Sequence, residues 1–113
     1  VIPVTIVANN KTFETNAMID SGATLSLSHA SVARDLGIDV ESGEKRIFQG
    51  VSAKLVGYIH SVKMIMAGKE IESKVAFSDE LSTSFNLLGR ETVFDRFVIT
   101  FNEKSMEIII ETA

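Results

Sequence analysis

The chain has 113 residues, of which 45% are hydrophobic and 23% are charged, and its formal net charge is −4 at pH 7. This length suits one domain with a modest core, and this composition is that of an ordinary globular protein. No run of Lys or Arg marks a nucleic-acid partner, and no apolar run approaches the roughly 20 residues of a membrane helix. The chain lacks cysteine, which excludes disulfides, a thiolate nucleophile and a zinc-finger ligand set.

Two further features concern the cellular context. The absence of cysteine is compatible with a reducing compartment and slightly favours the cytoplasm. The first residue is Val1 rather than Met, which is consistent with a single domain, residues 1–113, excised from a longer protein. Targeting or anchoring segments outside this sequence would not be visible in it.

The first third of the chain predicts three strands and one helix. The predicted strands cover residues 1–7, 12–20 and 25–27, and the helix covers 29–36. Pro3 fits the start or the edge of the first strand, and an Asn-Asn-Lys turn precedes the second. Ser28 is the predicted N-cap of the helix, and Gly37 suits its left-handed end.

The rest of the chain predicts hairpins. Strand-like runs cover residues 46–49, 54–59, 62–66, 70–77, 85–88, 97–101 and 106–110. A four-residue link that begins at Gly50 joins the first two runs, and residues 90–94 predict a short helical turn. Eight or so short strands at close spacing predict an all-β, barrel-like domain.

A weak internal repeat appears when the two halves of the chain are compared. Each half has a strand, a turn that contains lysine, a second strand, an apolar approach to a glycine, and a helical segment. The two glycines are Gly22 and Gly89. If the repeat is real, each half presents a loop at a strand end, and the two loops face each other.

A candidate site lies where an apolar run ends in Asp20-Ser21-Gly22. This pattern predicts a carboxylate at a strand end, in a turn where Gly22 lets backbone amides approach and stabilise the charged form. Alone, the tripeptide is more typical of an ordinary turn that ends a strand. A second match near the other end of the chain, residues 87–89, favours the interpretation as a site.

These residues resemble a known family. Ile19-Asp20-Ser21-Gly22-Ala23 resembles the active-site signature of retropepsin-like aspartic proteases, and Leu87-Leu88-Gly89-Arg90 resembles the apolar-apolar-Gly element near their C-terminus. The Gly50 hairpin lies where the family has its flap. The resemblance extends over nearly the whole chain, and it is nearest to small cellular, bacterial or archaeal members. It implies an all-β fold, a retropepsin-like closed β-barrel with one or two short helices, acting as a homodimer.

The activity that the resemblance implies is that of an aspartic endopeptidase without metal or cofactor. Such enzymes use two carboxylates that share a proton: one side deprotonates a water while the other protonates the scissile carbonyl. The signature occurs once in this sequence, so one chain supplies half a site. A homodimer would bring both copies of Asp20 to the two-fold axis. The implied partners are a second copy of the chain and a polypeptide substrate.

The resemblance also assigns roles to single residues. Asp20 is implied as the catalytic acid and base, Ser21 as the hydroxyl that locks the two loops across the two-fold, and Gly22 as a neighbour of the substrate backbone. The other implied substrate contacts are Ala23 and Thr24 on the floor, Gly50, Val51 and Ser52 at the flap tip, and Leu87 in a specificity pocket. Leu88 is expected in the core, and plain core packing is the alternative for Leu87.

Two departures and one alternative function accompany the resemblance. Retroviral members have an acidic residue where this chain has Thr24, and it pairs with the arginine after the second glycine. Since Thr24 cannot form that ion pair, Arg90 is expected to find another partner or solvent. The terminal strands, residues 1–7 and 106–111, correspond to the family's intermolecular sheet. The alternative function is a catalytically silent dimerisation or peptide-binding domain, because fold does not guarantee activity.

Overall fold

The computed structural model describes residues 1–20, 22–49, 54–81 and 86–112. These residues form nine strands, one α-helix and a short 3-10 helix, so the all-β prediction is confirmed. The elements in chain order are β1 (Ile2–Ala8), β2 (Lys11–Ile19), β3 (Ser26–His29), α1 (Ala30–Asp35), the 3-10 helix (Val40–Ser42), β4 (Glu44–Gln49), β5 (Lys54–Met66), β6 (Lys69–Ser78), β7 (Asn86–Leu88), β8 (Phe97–Asn102) and β9 (Glu107–Thr112).

Six of the described strands close into a barrel, in the order β1, β2, β7, β3, β6, β5 and back to β1. β1 completes the ring because it pairs antiparallel with β2 along its length and with β5 at residues 5–7. The pairs β2–β7 and β3–β6 are parallel. β4 lies outside the ring as the antiparallel partner of β5. The predicted closed barrel is therefore confirmed.

The core occupies the barrel interior and extends beneath α1. Alternate residues of a strand point to the same face, and in β1 the inward positions are Ile2, Val4 and Ile6. The other buried apolar side chains of the strands and the helix include Ala30, Val32, Ala33, Val62, Met64, Met66, Ile71, Val75, Phe77 and Leu88. This packing fixes the strand ends from which the candidate site is built.

The predicted boundaries of β5 differ from the structure. The runs 54–59 and 62–66 form one continuous strand, β5, since His60 and Ser61 pair with β6 like their neighbours. The ring of His60 lies beside that of Phe77, with centroids 6.0 Å apart, and its Nε2 is 2.9 Å from the carbonyl oxygen of Val40. These contacts place a polar residue in the strand without a break.

The start of the helix also differs from the prediction. Ser28 is not the N-cap, because β3 extends to His29 and α1 begins at Ala30 after an N-cap residue without a side-chain bond. The hydroxyl of Ser28 instead donates to the carbonyl of His29. The predicted helical turn after Gly89 is confirmed by i→i−4 hydrogen bonds from the amides of Val93 and Phe94.

The C-terminal hairpin forms a separate two-stranded sheet of β8 and β9. One face packs on the core through Phe97, Ile99, Ile108 and Ile110. Elsewhere on the hairpin, apolar side chains are open to solvent, with exposed fractions of 53% at Val98, 56% at Phe101, 88% at Met106 and 42% at Ile109. Among the described residues, neither strand pairs with the barrel.

The N-terminal strand pairs with β2 along its length, and β5 occupies its other edge at residues 5–7. The expected place of this strand in an intermolecular sheet stays a prediction. In the part of the chain that the structure describes, no helix combines the length and the apolar character needed to cross a membrane.

Candidate active site

Asp20 lies directly after β2, at the point where two parallel strands end side by side. The β2–β7 ladder pairs Ile19 with Leu88, so the residues that follow these two are also neighbours. The amide of Asp20 donates to the carbonyl of Leu88 over 2.9 Å. The candidate carboxylate is thus held by the backbone of the second family-like element.

The loop after Asp20 folds back on the carboxylate. The amide of Gly22 donates to Oδ1 of Asp20 at 2.9 Å, and the amide of Ala23 donates to the carbonyl of Asp20 at 3.2 Å. A side-chain Cβ at Gly22 would lie 3.2 Å from the same Oδ1, tighter than most such contacts. The predicted approach of a backbone amide to the carboxylate is confirmed.

The segment after Leu88 holds the same loop from behind. The amide of Arg90 donates to the carbonyl of Ala23 at 2.8 Å, and the amide of Glu91 donates to that of Thr24 at 3.0 Å. A Cβ at Gly89 would come within 2.5 Å of the carbonyl carbon and oxygen of Leu25. Only glycine allows this approach, and the predicted meeting of the two loops is confirmed.

Arg90 has a partner that the sequence analysis missed. Its Nη2 donates to the hydroxyl of Thr24 over 3.2 Å. The prediction that Arg90 turns to another partner or to solvent is therefore wrong. Thr24 stands where the family's acidic residue would be, and it accepts a single hydrogen bond in place of an ion pair.

Three buried hydroxyls behind the loop were also not identified from the sequence. Ser26 accepts a hydrogen bond from the amide of Gly89 at 3.0 Å, and its oxygen lies 2.5 Å from that of Thr92. The Thr92 oxygen lies 2.7 Å from that of Ser73. The available signal was the polar residue at an inward position of a strand, as in the alternation Ile71, Ser73, Val75.

The remaining predicted site residues divide into three groups. Ala23 is half-buried and Thr24 is exposed, both on the loop beside Asp20. Leu88 is buried in the core, whereas Leu87 is half-buried and pairs with β2 and β3, so the prediction that they face opposite ways is confirmed. The other predicted residues, Ser21, Gly50, Val51 and Ser52, lie outside the described residues.

The hairpin of β4 and β5 projects from the barrel, because the ladder of β5 with β6 begins at Tyr58. Two side chains continue this ladder beyond its end. Oε2 of Glu80 accepts a hydrogen bond from the amide of Val56 at 2.9 Å, and the hydroxyl of Ser78 donates to the carbonyl of Val56 at 2.6 Å. The base of the hairpin is therefore anchored to the turn that follows β6.

Comparison with known proteins agrees with this geometry. The model of a family described as aspartyl protease matches residues 2–92, and a search of curated proteins finds no match. The fold is similar to the crystal structure of a retropepsin-like aspartic protease from Rickettsia conorii, with a TM-score of 0.68 and 19% identity over 96% of this chain and 81% of that one.

A second similar structure is the solution structure of the Simian Foamy Virus (mac) protease. Its TM-score is 0.53, with 15% identity over 80% of this chain and 88% of that one. Both structural likenesses concern the fold, and the family match spans most of the sequence. The chain therefore belongs to the aspartyl protease family and has the retropepsin-like fold.

Proposed function

We propose that this protein is an aspartic endopeptidase that works as a homodimer, with one Asp20 from each copy at the catalytic centre. The observation that supports this most directly is the placement of Asp20. Its carboxylate is half-buried at a strand end, receives the amide of Gly22 on Oδ1, and belongs to a chain of the aspartyl protease family.

The chemistry requires two such carboxylates with one proton between them. The ionised carboxylate takes a proton from water, and the water oxygen bonds to the carbon of the scissile carbonyl. The other carboxyl gives its proton to the carbonyl oxygen. The tetrahedral intermediate then collapses: the C–N bond breaks and the departing amine takes up a proton. Two like charges at close range resist ionising together, which keeps one proton on the pair.

The dimer follows from the single Asp-Ser-Gly signature in the sequence. The proposed contact surface of the dimer is the hairpin of β8 and β9. A two-stranded sheet alone is marginally stable, and its open edges invite another chain. A second copy would cover the exposed Val98 and Ile109 and would extend the sheet across a two-fold axis.

The proposed substrate is a polypeptide in an extended conformation. It would lie between the loop of Asp20 and the hairpin of β4 and β5, with Ala23 and Thr24 beneath it and Leu87 in a specificity pocket. Gly50, Val51 and Ser52 are the proposed flap tip that closes over the peptide and excludes water.

The decisive experiment compares cleavage of a peptide mixture by the wild-type protein and by Asp20→Asn, with products identified by mass spectrometry. Asparagine has nearly the same shape as aspartate but cannot ionise, so we expect the variant to stay folded and to lose cleavage. Equal cleavage by a folded and pure Asp20→Asn protein would rule out Asp20. A wild-type dimer that binds peptides without cutting them would instead support the silent, peptide-binding alternative.

A further inference from the structure

The buried hydroxyls of Ser26, Thr92 and Ser73 form one continuous chain. The oxygens of Ser26 and Thr92 are 2.5 Å apart, and those of Thr92 and Ser73 are 2.7 Å apart. The three residues have exposed fractions of 1%, 0% and 7%. Water cannot easily replace a partner at such positions, so each hydroxyl depends on the others.

The chain of hydroxyls ends on the amide of Gly89, which donates to Ser26. Gly89 lies between two residues that hold the loop of Asp20. The carbonyl of Leu88 accepts the amide of Asp20, and the amide of Arg90 donates to the carbonyl of Ala23. A shift of the Gly89 peptide would therefore disturb both contacts at once.

Thr92 is the central member because its oxygen is within hydrogen-bond distance of both serines. One hydroxyl can donate to one neighbour while it accepts from the other. Loss of this hydroxyl would leave Ser73 without this partner and Ser26 with only the amide of Gly89, and an unmet hydrogen bond in the interior is costly. The Ser26 hydroxyl would then lose the second contact that fixes its orientation toward Gly89.

We propose that Thr92 is a positioning residue of the active site and that it acts through Ser26 and the amide of Gly89 to fix the Asp20 carboxylate. Ser73 connects this arrangement to β6, the strand that pairs with β3. The inference rests on the proposed function where catalysis is measured, and on the geometry alone where hydrogen exchange is measured.

The test uses two matched pairs of variants. Thr92→Val keeps the size of the side chain and removes the hydroxyl, whereas Thr92→Ser keeps the hydroxyl and removes a methyl group. Ser26→Ala removes the partner of Gly89. Ser28→Ala removes an equally buried serine of β3, at 1% exposed, whose hydroxyl bonds to the neighbouring carbonyl of His29 instead.

The first measurement is amide hydrogen exchange by NMR. The exchange rates of the Gly89 and Asp20 amides are each divided by the rate of the amide of Val62, a buried residue of β5. In Thr92→Val and Ser26→Ala we expect exchange at Gly89 and Asp20 to rise about tenfold relative to Val62. Thr92→Ser and Ser28→Ala should leave this ratio within about twofold of wild type. A merely structural loss would accelerate all three amides together.

The second measurement is cleavage as a function of pH. In Thr92→Val we expect kcat to fall about tenfold with KM nearly unchanged, because a misplaced carboxylate affects the transition state more than binding. The acidic limb of the profile should move in Thr92→Val and stay in place in Ser28→Ala.

The outcomes separate the two proposals. If the wild-type protein cleaves no peptide, the proposed function fails, while the exchange ratios still decide the role of Thr92. If Thr92→Val and Ser28→Ala change the ratios equally, or if Thr92→Ser behaves like Thr92→Val, the hydroxyl chain is packing alone. Should Thr92→Val fail to fold, the pair Ser26→Ala and Ser28→Ala decides.

Discussion

The guanidinium of Arg90 donates a hydrogen bond to the hydroxyl of Thr24 at 3.2 Å, across the contact between the two loops. The same segments are also joined through backbone atoms, from Arg90 to Ala23 and from Glu91 to Thr24. A cation bonded to a neutral acceptor gains less from charge attraction than an ion pair does. The backbone bonds therefore carry most of the attachment between these loops.

Replacing the neutral acceptor by a carboxylate should strengthen this contact slightly. Both side chains belong to exposed residues, so we expect Thr24→Asp to raise the free energy of unfolding by at most about 1 kcal/mol at low salt. The gain should disappear at about 1 M salt, where charges are screened. Urea denaturation at fixed protein concentration measures it, with Thr24→Asn as the uncharged control. A gain that survives high salt would contradict the ion-pair explanation.

Gly89→Ala should be among the most damaging small substitutions in the chain. Its Cβ would meet backbone atoms of Leu25 at 2.5 Å, and backbone cannot move aside as a flexible side chain can. We expect a loss of about 3 kcal/mol of stability. Gly68→Ala is the control, since Gly68 has φ of +74° with no atom near its Cβ position, and its cost should be about 1 kcal/mol. Equal losses in denaturant melts would show that the loops separate easily.

The proposed dimer surface can be tested with one charge. Ile109 is 42% exposed on the outer face of the β8–β9 hairpin. We expect Ile109→Lys to give the mass of one chain in sedimentation and to abolish cleavage, with an unchanged circular dichroism spectrum. Ile65→Lys, on β5 and 38% exposed, should remain a dimer. An active dimer of Ile109→Lys would place the interface on another surface.

One ion pair gives a pH dependence with a definite sign. The hydrogen bond from Arg34 and the attraction of its charge lower the pKa of Asp79 below its ordinary value. The stabilisation is present above that ordinary pKa and is lost as the pH falls through the lowered one. Asp79→Asn should therefore be slightly less stable than wild type at neutral pH, and the difference should vanish in acid. Thermal melts against pH measure this; a difference that grows in acid would contradict it.

The features of this architecture that could be predicted are those set by residues adjacent in sequence. The turn after Asp20, the Gly22 contact and the opposite faces of Leu87 and Leu88 follow from neighbours in sequence. The ring order of the strands does not, because it depends on contacts between residues far apart in the chain. The sequence predicts two strands in place of β5 because His60 and Ser61 interrupt the apolar run, and their partners on β6 and at Val40 are distant in sequence.

In the candidate site, too, only the features set by neighbours in sequence could be predicted. Asp20 has a signature, whereas Ser26, Ser73 and Thr92 are single hydroxyls spread over three elements, and isolated serines are typical of surfaces. The partner of Arg90 was excluded because only a charged partner was considered. A guanidinium also donates hydrogen bonds to a neutral hydroxyl oxygen, and the closeness of Thr24 is a consequence of the two loops meeting at their backbones.

The continuity of β5 links the projecting hairpin directly to the closure of the barrel. This one strand of 13 residues begins in the projecting hairpin and ends at the seam where β1 closes the barrel. Its ladder with β6 begins at Tyr58. Just before this point in the chain, the hydrogen bonds of Val56 to Glu80 and Ser78 hold the base of the hairpin. For the proposed flap, these two bonds predict that bending falls on the side of Val56 away from Tyr58 and thus away from the seam.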